Sequence, residues 1–200
     1  DFENKNIGYK LWPCCGYTQN YVDATLHLIQ LHDIEPGDIL HITIVVNETA
    51  GRLFEPWEVR YRPRSSDDAK WSIPWTVACA AARSRVTLGD FSAEGIRDAL
   101  ILDIAQKVTP KIDPALNGMK GIPPGTVEIK TGRHVYNAQV DHPYGHPRNP
   151  VKREDLIAKF LVCASHAVKP LKREEINSLV DMMFNFEQIE DIRNIIVLLS

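Results

Sequence analysis

The stretch "DHPYGHPRNP", residues 141–150, holds three prolines and one glycine and constrains the fold more than any other segment. Proline lacks a backbone donor and clashes with the preceding helical turn, so no helix runs through these ten positions. Before this stretch, strand-like and helical patterns are mixed; after it, every pattern is helical. Leu156, Phe160 and Cys163 form one apolar stripe, Ile176, Leu179, Val180 and Met183 a second, and Ile189, Ile192, Ile196 and Leu199 a third. The chain therefore divides into a mixed α+β part over residues 1–140, a proline-rich joint over 141–150, and a helical segment over 151–200.

Within the first part, Val22, Leu26 and Ile29 recur at helical spacing between Asn20 and Leu31, and Pro36-Gly37 ends that helix. "DILHITIVVNE" alternates strictly, with Leu40, Ile42, Ile44 and Val46 on one face and Ile39, His41, Thr43 and Val45 on the other. "EPWEVRYRP" reads as a second, weaker strand, and "PRSSDDAKW" as an exposed polar connection. "SIPWTVACAAARSRV" is a buried alanine-rich helix entered through Pro74. A further helix is expected from about Ser92 to Val108, on Ile96, Leu100 and Ile104. "GTVEIKTGRHVYNAQV" predicts two strands joined by a tight turn at Thr131-Gly132.

The charge balance, 23 basic against 26 acidic residues, implies neither nucleic-acid binding nor a polybasic membrane surface. No apolar run reaches the ~18 residues of a membrane span. The N-terminus lacks the layout of a signal peptide and begins without methionine, as a fragment or processed chain would. Four cysteines in 200 residues do not make a disulfide framework and favour a cytoplasmic setting.

Few residues carry chemistry by spacing alone. Cys14-Cys15 lacks the C-x-x-C spacing of a shared tetrahedral metal, so small buried packing residues are the expectation. His142 and His146 are four apart, but the prolines deny them a common helix face, and a structured hinge is expected instead. His27, His32, His41 and His134 are isolated. Ser72 and Ser92 have no G-x-S-x-G setting, and no phosphate-binding glycine loop occurs. On residue type alone, Lys10 is a solvated lysine.

Three ordered segments change that view. "YKLWPCCGYTQNYVDA" resembles the MmgE/PrpD pattern K-x-(Y/F/W)-P-x-C-x-x-T-H followed by a helix containing D-A, here Lys10, Trp12-Pro13, Cys14-Cys15, Thr18 and Asp23-Ala24. "DAKWSIPWTVACAAA" looks like that family's D-A-(K/R)-x-S-(I/L)-P-Y stretch, and "HPYGHPRNPVKREDLIAKF" like its G-x-P-x-N-P-x-x-x-E-(D/E)-L-x-x-K-F joint. Together they span about 150 residues.

The resemblance implies that residues 1–140 are the α+β lid domain of such a protein, a two-layer unit of mainly antiparallel strands with packed helices. It implies that residues 151–200 return to an all-helical domain supplied elsewhere, either by an N-terminal half or by a companion subunit. The family includes 2-methylcitrate dehydratases, cis-aconitate decarboxylases and iminodisuccinate epimerases. They move a proton α to a carboxylate on small di- and tricarboxylates without metal or organic cofactor, commonly as homodimers. By resemblance, Lys10 is the catalytic cation, and Thr18, Gln19 and Trp75 are substrate-binding positions. Gln19 replaces a common histidine and Trp75 a common tyrosine, which leaves the substrate open. The implied function is the C-terminal part of a cofactor-independent lyase, with an epimerase or a non-catalytic lid subunit as alternatives. Alone, the chain is expected to be inactive.

Overall fold

Helix α1, Gln19–His32, buries Tyr21, Val22, Leu28 and Ile29 and stops where Asp33 takes the left-handed conformation (φ 46°). The Ile34 amide then closes back onto the Ile29 carbonyl. In this computed structural model, residues 2–119, 121–169 and 171–199 are described; Asp1, where the sequence begins, lies outside them.

Strand β1 covers Ile39–Val46. Ile42, Ile44 and Val46 face the core as their alternation requires, but the register slips between Ile39 and His41. That bulge turns Ile39 inward and Leu40 outward (1% against 56% exposed), reversing the expectation for this pair. Short helices α2 (Glu48–Gly51), α3 (Trp57–Arg60) and α4 (Ser66–Lys70) follow.

The expected strand over "EPWEVRYRP" is therefore a helical turn. Pro56 is its N-cap, Trp57 stacks on Tyr61 at 5.3 Å, and the Tyr61 hydroxyl donates to the Val108 carbonyl at 2.9 Å. "PRSSDDAKW" is likewise no mere connection. Ser65 accepts the Asp68 amide to start α4, and Ala69 is fully buried.

Helix α5, Ile73–Arg83, starts at Ser72, whose hydroxyl accepts the Trp75 amide at 3.0 Å; Pro74 occupies its first turn. Its buried alanines, Ala78, Ala80 and Ala81, let α1 and α6 approach closely. Helix α6 spans only Ala99–Ala105, because Asp98 caps a new start by accepting the Leu100 and Ile101 amides. The expected helix from about Ser92 to Val108 is thus realised only over its second half, and Val108, its expected end, opens strand β2, Val108–Ile112.

Strands β3 (Gly125–Thr131) and β4 (Val135–Val140) make the expected hairpin. The sheet order is β2-β1-β3-β4, with β1–β2 parallel and the other two pairings antiparallel. Helices α1 and α5 pack on the sheet, over a core that includes Ile42, Ile44, Val127 and Ile129. The result is an α+β fold. Gly125 is required where α1 crosses β3: a Cβ there would lie 2.5 Å from Asn20 Cβ.

The chain divides into two compact units, Asp1–Pro150 and Val151–Ser200. The second contains helices α7 (Arg153–Ser165), α8 (Arg173–Phe184) and α9 (Arg193–Leu199). Among the described residues its buried positions are Ala164, Leu179 and Ile195, whereas Cys163, Met183, Ile192, Ile196 and Leu199 are exposed within the chain. Leu156, Phe160, Ile176 and Val180 keep their expected faces half-buried, whereas in the third stripe Ile195 is buried in place of Ile192 and Ile196; Arg153 covers the Phe184 ring at 3.7 Å. No helix among the described residues is long and apolar enough to cross a membrane.

Candidate functional site

The segment from Tyr9 to Cys15 is irregular, passes inward from the surface, and leads through a 3-10 turn at Gly16–Thr18 into α1. The Tyr9 amide donates to the Gly145 carbonyl at 2.8 Å. Gly145 has φ +100°, and a Cβ there would stand 2.2 Å from the Tyr9 carbonyl oxygen, so only glycine permits this approach.

Three residues along, the Trp12 indole N–H donates to Asp23 Oδ1 at 2.7 Å, and the Tyr144 amide donates to Asp23 Oδ2 at the same distance. Burial holds the Asp23 carboxyl above the usual carboxylate range, while those two donors pull it back. Lys10 lies between the two attachments and is exposed. Burial pushes the Cys14 thiol up to about 12, opposed first by the Thr18 hydroxyl and then by the Lys10 charge.

The cysteines serve as packing. Cys14 and Cys15 are buried free thiols, and the Cys15 amide donates to the Lys70 carbonyl at 2.9 Å, joining the loop to α4. Thr18, with no exposed surface, has its hydroxyl 2.8 Å from the Cys15 carbonyl and 2.9 Å from Cys14 Sγ. Gln19, 2% exposed, accepts the Trp12 amide through Oε1 and donates through Nε2 to the Trp12 carbonyl, each at 3.1 Å. Trp75 is fully buried at the start of α5, its indole N–H donating to the Asp90 carbonyl at 3.2 Å.

The four residues named from the sequence thus separate. Lys10 presents a cation at the surface, while Thr18, Gln19 and Trp75 are turned inward with their polar atoms engaged by the chain itself. Each of these three buried polar side chains finds its hydrogen-bond partners within the chain, as buried polar groups generally do. Asp23 and Gly145 had no assigned role; the only signal was that Asp23 belongs to the D-A pair of the motif and Gly145 to the joint.

Beside the loop, residues 141–150 form a tight turn. Gly145 donates to the Asn149 carbonyl, the Asn149 amide side chain donates to the His142 carbonyl, and the His142 and His146 rings stack at 4.4 Å. Desolvation, then the neighbouring His142 and Arg148, hold His146 below the usual imidazole value. The Arg148 amide donates to His146 Nδ1, which matches a neutral ring. The joint is structured and belongs to the first unit.

A cation on a loop tied down at both ends is suited to meeting a carboxylate or a developing negative charge, since little reorganisation is needed when the charge arrives. Comparison with known proteins bears on this arrangement. The curated cis-aconitate decarboxylase of Mus musculus is 25% identical over 198 residues, covering 94% of this chain but only 38% of that protein. The MmgE/PrpD C-terminal domain matches residues 12–184, a span that begins just after Lys10 and includes Trp12, Asp23, Trp75 and the joint. The chain belongs to the MmgE/PrpD family, as a C-terminal domain.

Proposed function

We propose that the protein to which this chain belongs is a cofactor-independent lyase acting on a small di- or tricarboxylate, with Lys10 as the cation of its site. The observation that carries this proposal is the exposed Lys10 on a loop tied by Tyr9 and Trp12, beside a family match over most of the chain. Removing a proton α to a carboxylate places further negative charge on an already anionic substrate. A fixed ammonium stabilises that charge more than it stabilises the ground state, which is the requirement for lowering the barrier.

In this proposal Thr18, Gln19 and Trp75 keep the loop and its underlying helix in place. The group that takes the proton belongs to a helical part, either in the same polypeptide or in a companion subunit, and the complete protein is a homodimer. The buried free thiols Cys14 and Cys79 support a reducing, cytoplasmic setting.

The test is incubation of the complete protein with cis-aconitate and with 2-methylcitrate in deuterated water, followed by NMR. Loss of carbon dioxide or of water identifies the lyase. Deuterium incorporated at the α-carbon without either loss identifies an epimerase acting on the same kind of substrate. No turnover and no exchange with any di- or tricarboxylate offered would support the non-catalytic lid instead.

A further inference from the structure

We propose that Asp23 is the positioning residue for Lys10, an inference that rests on the role given to Lys10 above. Asp23 sits in the second turn of α1, so its backbone belongs to the helix that packs on β3 and β4. Its two oxygens take two different donors. Oδ1 receives the Trp12 indole and Oδ2 the Tyr144 amide, both at 2.7 Å, the short distance expected of hydrogen bonds to an ionised carboxylate.

These bonds close a circuit. From Asp23 the path runs through the Trp12 side chain, back along Leu11 and Lys10 to Tyr9, across to Gly145, and through its neighbour Tyr144 to Asp23 again. Lys10 is the exposed cation within that ring, one residue from one attachment and two from the other. Opening the ring at Asp23 releases both the loop and the turn that face each other across the Tyr9–Gly145 bond.

The chemistry at the junction requires a carboxylate. Asparagine offers a single acceptor oxygen and turns an amide NH₂ toward a donor, so Asp23→Asn keeps one of the two bonds at most. The Tyr9 amide is the informative probe, because it touches neither Asp23 nor Trp12 and reports the far side of the circuit.

Amide hydrogen exchange measured by NMR on this 200-residue chain tests the circuit. Asp23→Asn is expected to speed exchange at Tyr9 by about tenfold or more, along with the Trp12 indole and the Tyr144 amide, while the β3 amides stay protected. Exchange at Tyr9 within about twofold of the unsubstituted chain, with only the two direct donors faster, would overturn the proposal. If the β3 amides show that Asp23→Asn does not fold, Trp12→Phe removes the indole donor alone and is held to the same outcome at Tyr9.

In the complete protein, with cis-aconitate as probe, Asp23→Asn should lower kcat/KM in the presence of Lys10 and cause no further loss in a Lys10→Ala background. Independent, additive losses would contradict action through Lys10. Should cis-aconitate not be turned over at all, the lyase assignment fails for that substrate while the exchange measurement still decides the role of Asp23.

Discussion

Gln19 and Trp12 exchange two hydrogen bonds, the amide oxygen accepting the Trp12 N–H and the amide nitrogen donating to the Trp12 carbonyl, each at 3.1 Å. The Gln19 side chain thereby acts toward the loop as a neighbouring strand would. Gln19→Ala removes both bonds and leaves the Trp12 backbone groups partly desolvated. A loss of about 1–3 kcal/mol in denaturant-unfolding stability is expected, and a loss below a few tenths would show that the loop holds without it.

The Tyr9–Gly145 approach depends on the absence of a side chain. Gly145→Ala puts an L-residue at φ +100° and a Cβ at 2.2 Å from the Tyr9 carbonyl, so the two segments must separate. The expected result is lost hydrogen-exchange protection at the Tyr9 amide, together with a stability loss of about 1 kcal/mol or more. Retained protection would contradict the geometry of the joint.

Thiol reactivity separates packing from chemistry. Burial pushes Cys14 up to about 12 and Cys79 well above the ordinary thiol value, whereas Cys163 is exposed. Alkylation of the folded chain at pH 8 should label Cys163 quickly and reach Cys14 and Cys79 only after unfolding, as read by mass spectrometry of the digested protein. Rapid labelling of Cys14 in the folded state would restore a thiol role for the vicinal pair.

The raised Asp23 value has a sign that can be measured. The folded chain holds the Asp23 proton more tightly than the unfolded chain does, so the stability linked to it is fully present below about 3.9, the ordinary Asp value, and is lost as pH rises through the folded value. Relative to Asp23→Asn, the unsubstituted chain should therefore lose stability as pH climbs out of that acid window, and the difference should level off above it. Denaturant midpoints collected across the range check this; a difference that grows in favour of Asp23 with rising pH would contradict it.

Much of the fold was legible because its determinants are local. The alternation of Ile42, Ile44 and Val46, the spacing of Val22, Leu26 and Ile29, and the Pro74 helix start each state their structure within a few residues. The misreadings arose where a distant partner decides. "EPWEVRYRP" carries strand-forming Val, Tyr and Trp, yet β1 already pairs with β2 and β3, and Tyr61 is held by the Val108 carbonyl instead. Strand β2 was hidden because a parallel edge strand of five residues, containing Pro110, carries no alternation of its own. At the site, Lys10 was reached only through a motif, since an exposed lysine looks like any other. Asp23 was missed because its partners, Trp12 and Tyr144, lie 11 and 121 positions away in the chain. For Thr18, Gln19 and Trp75 the motif records residue types and not the direction in which they point, so their burial is not legible in it.

The most direct test of the account is kcat/KM of Lys10→Ala in the complete protein with cis-aconitate or whichever di- or tricarboxylate proves to be turned over. Removing a preorganised cation should lower it by on the order of 10²-fold or more, with Lys10→Arg recovering only part of the loss. Near-normal turnover by Lys10→Ala would contradict the account and leave Lys10 a solvated surface residue.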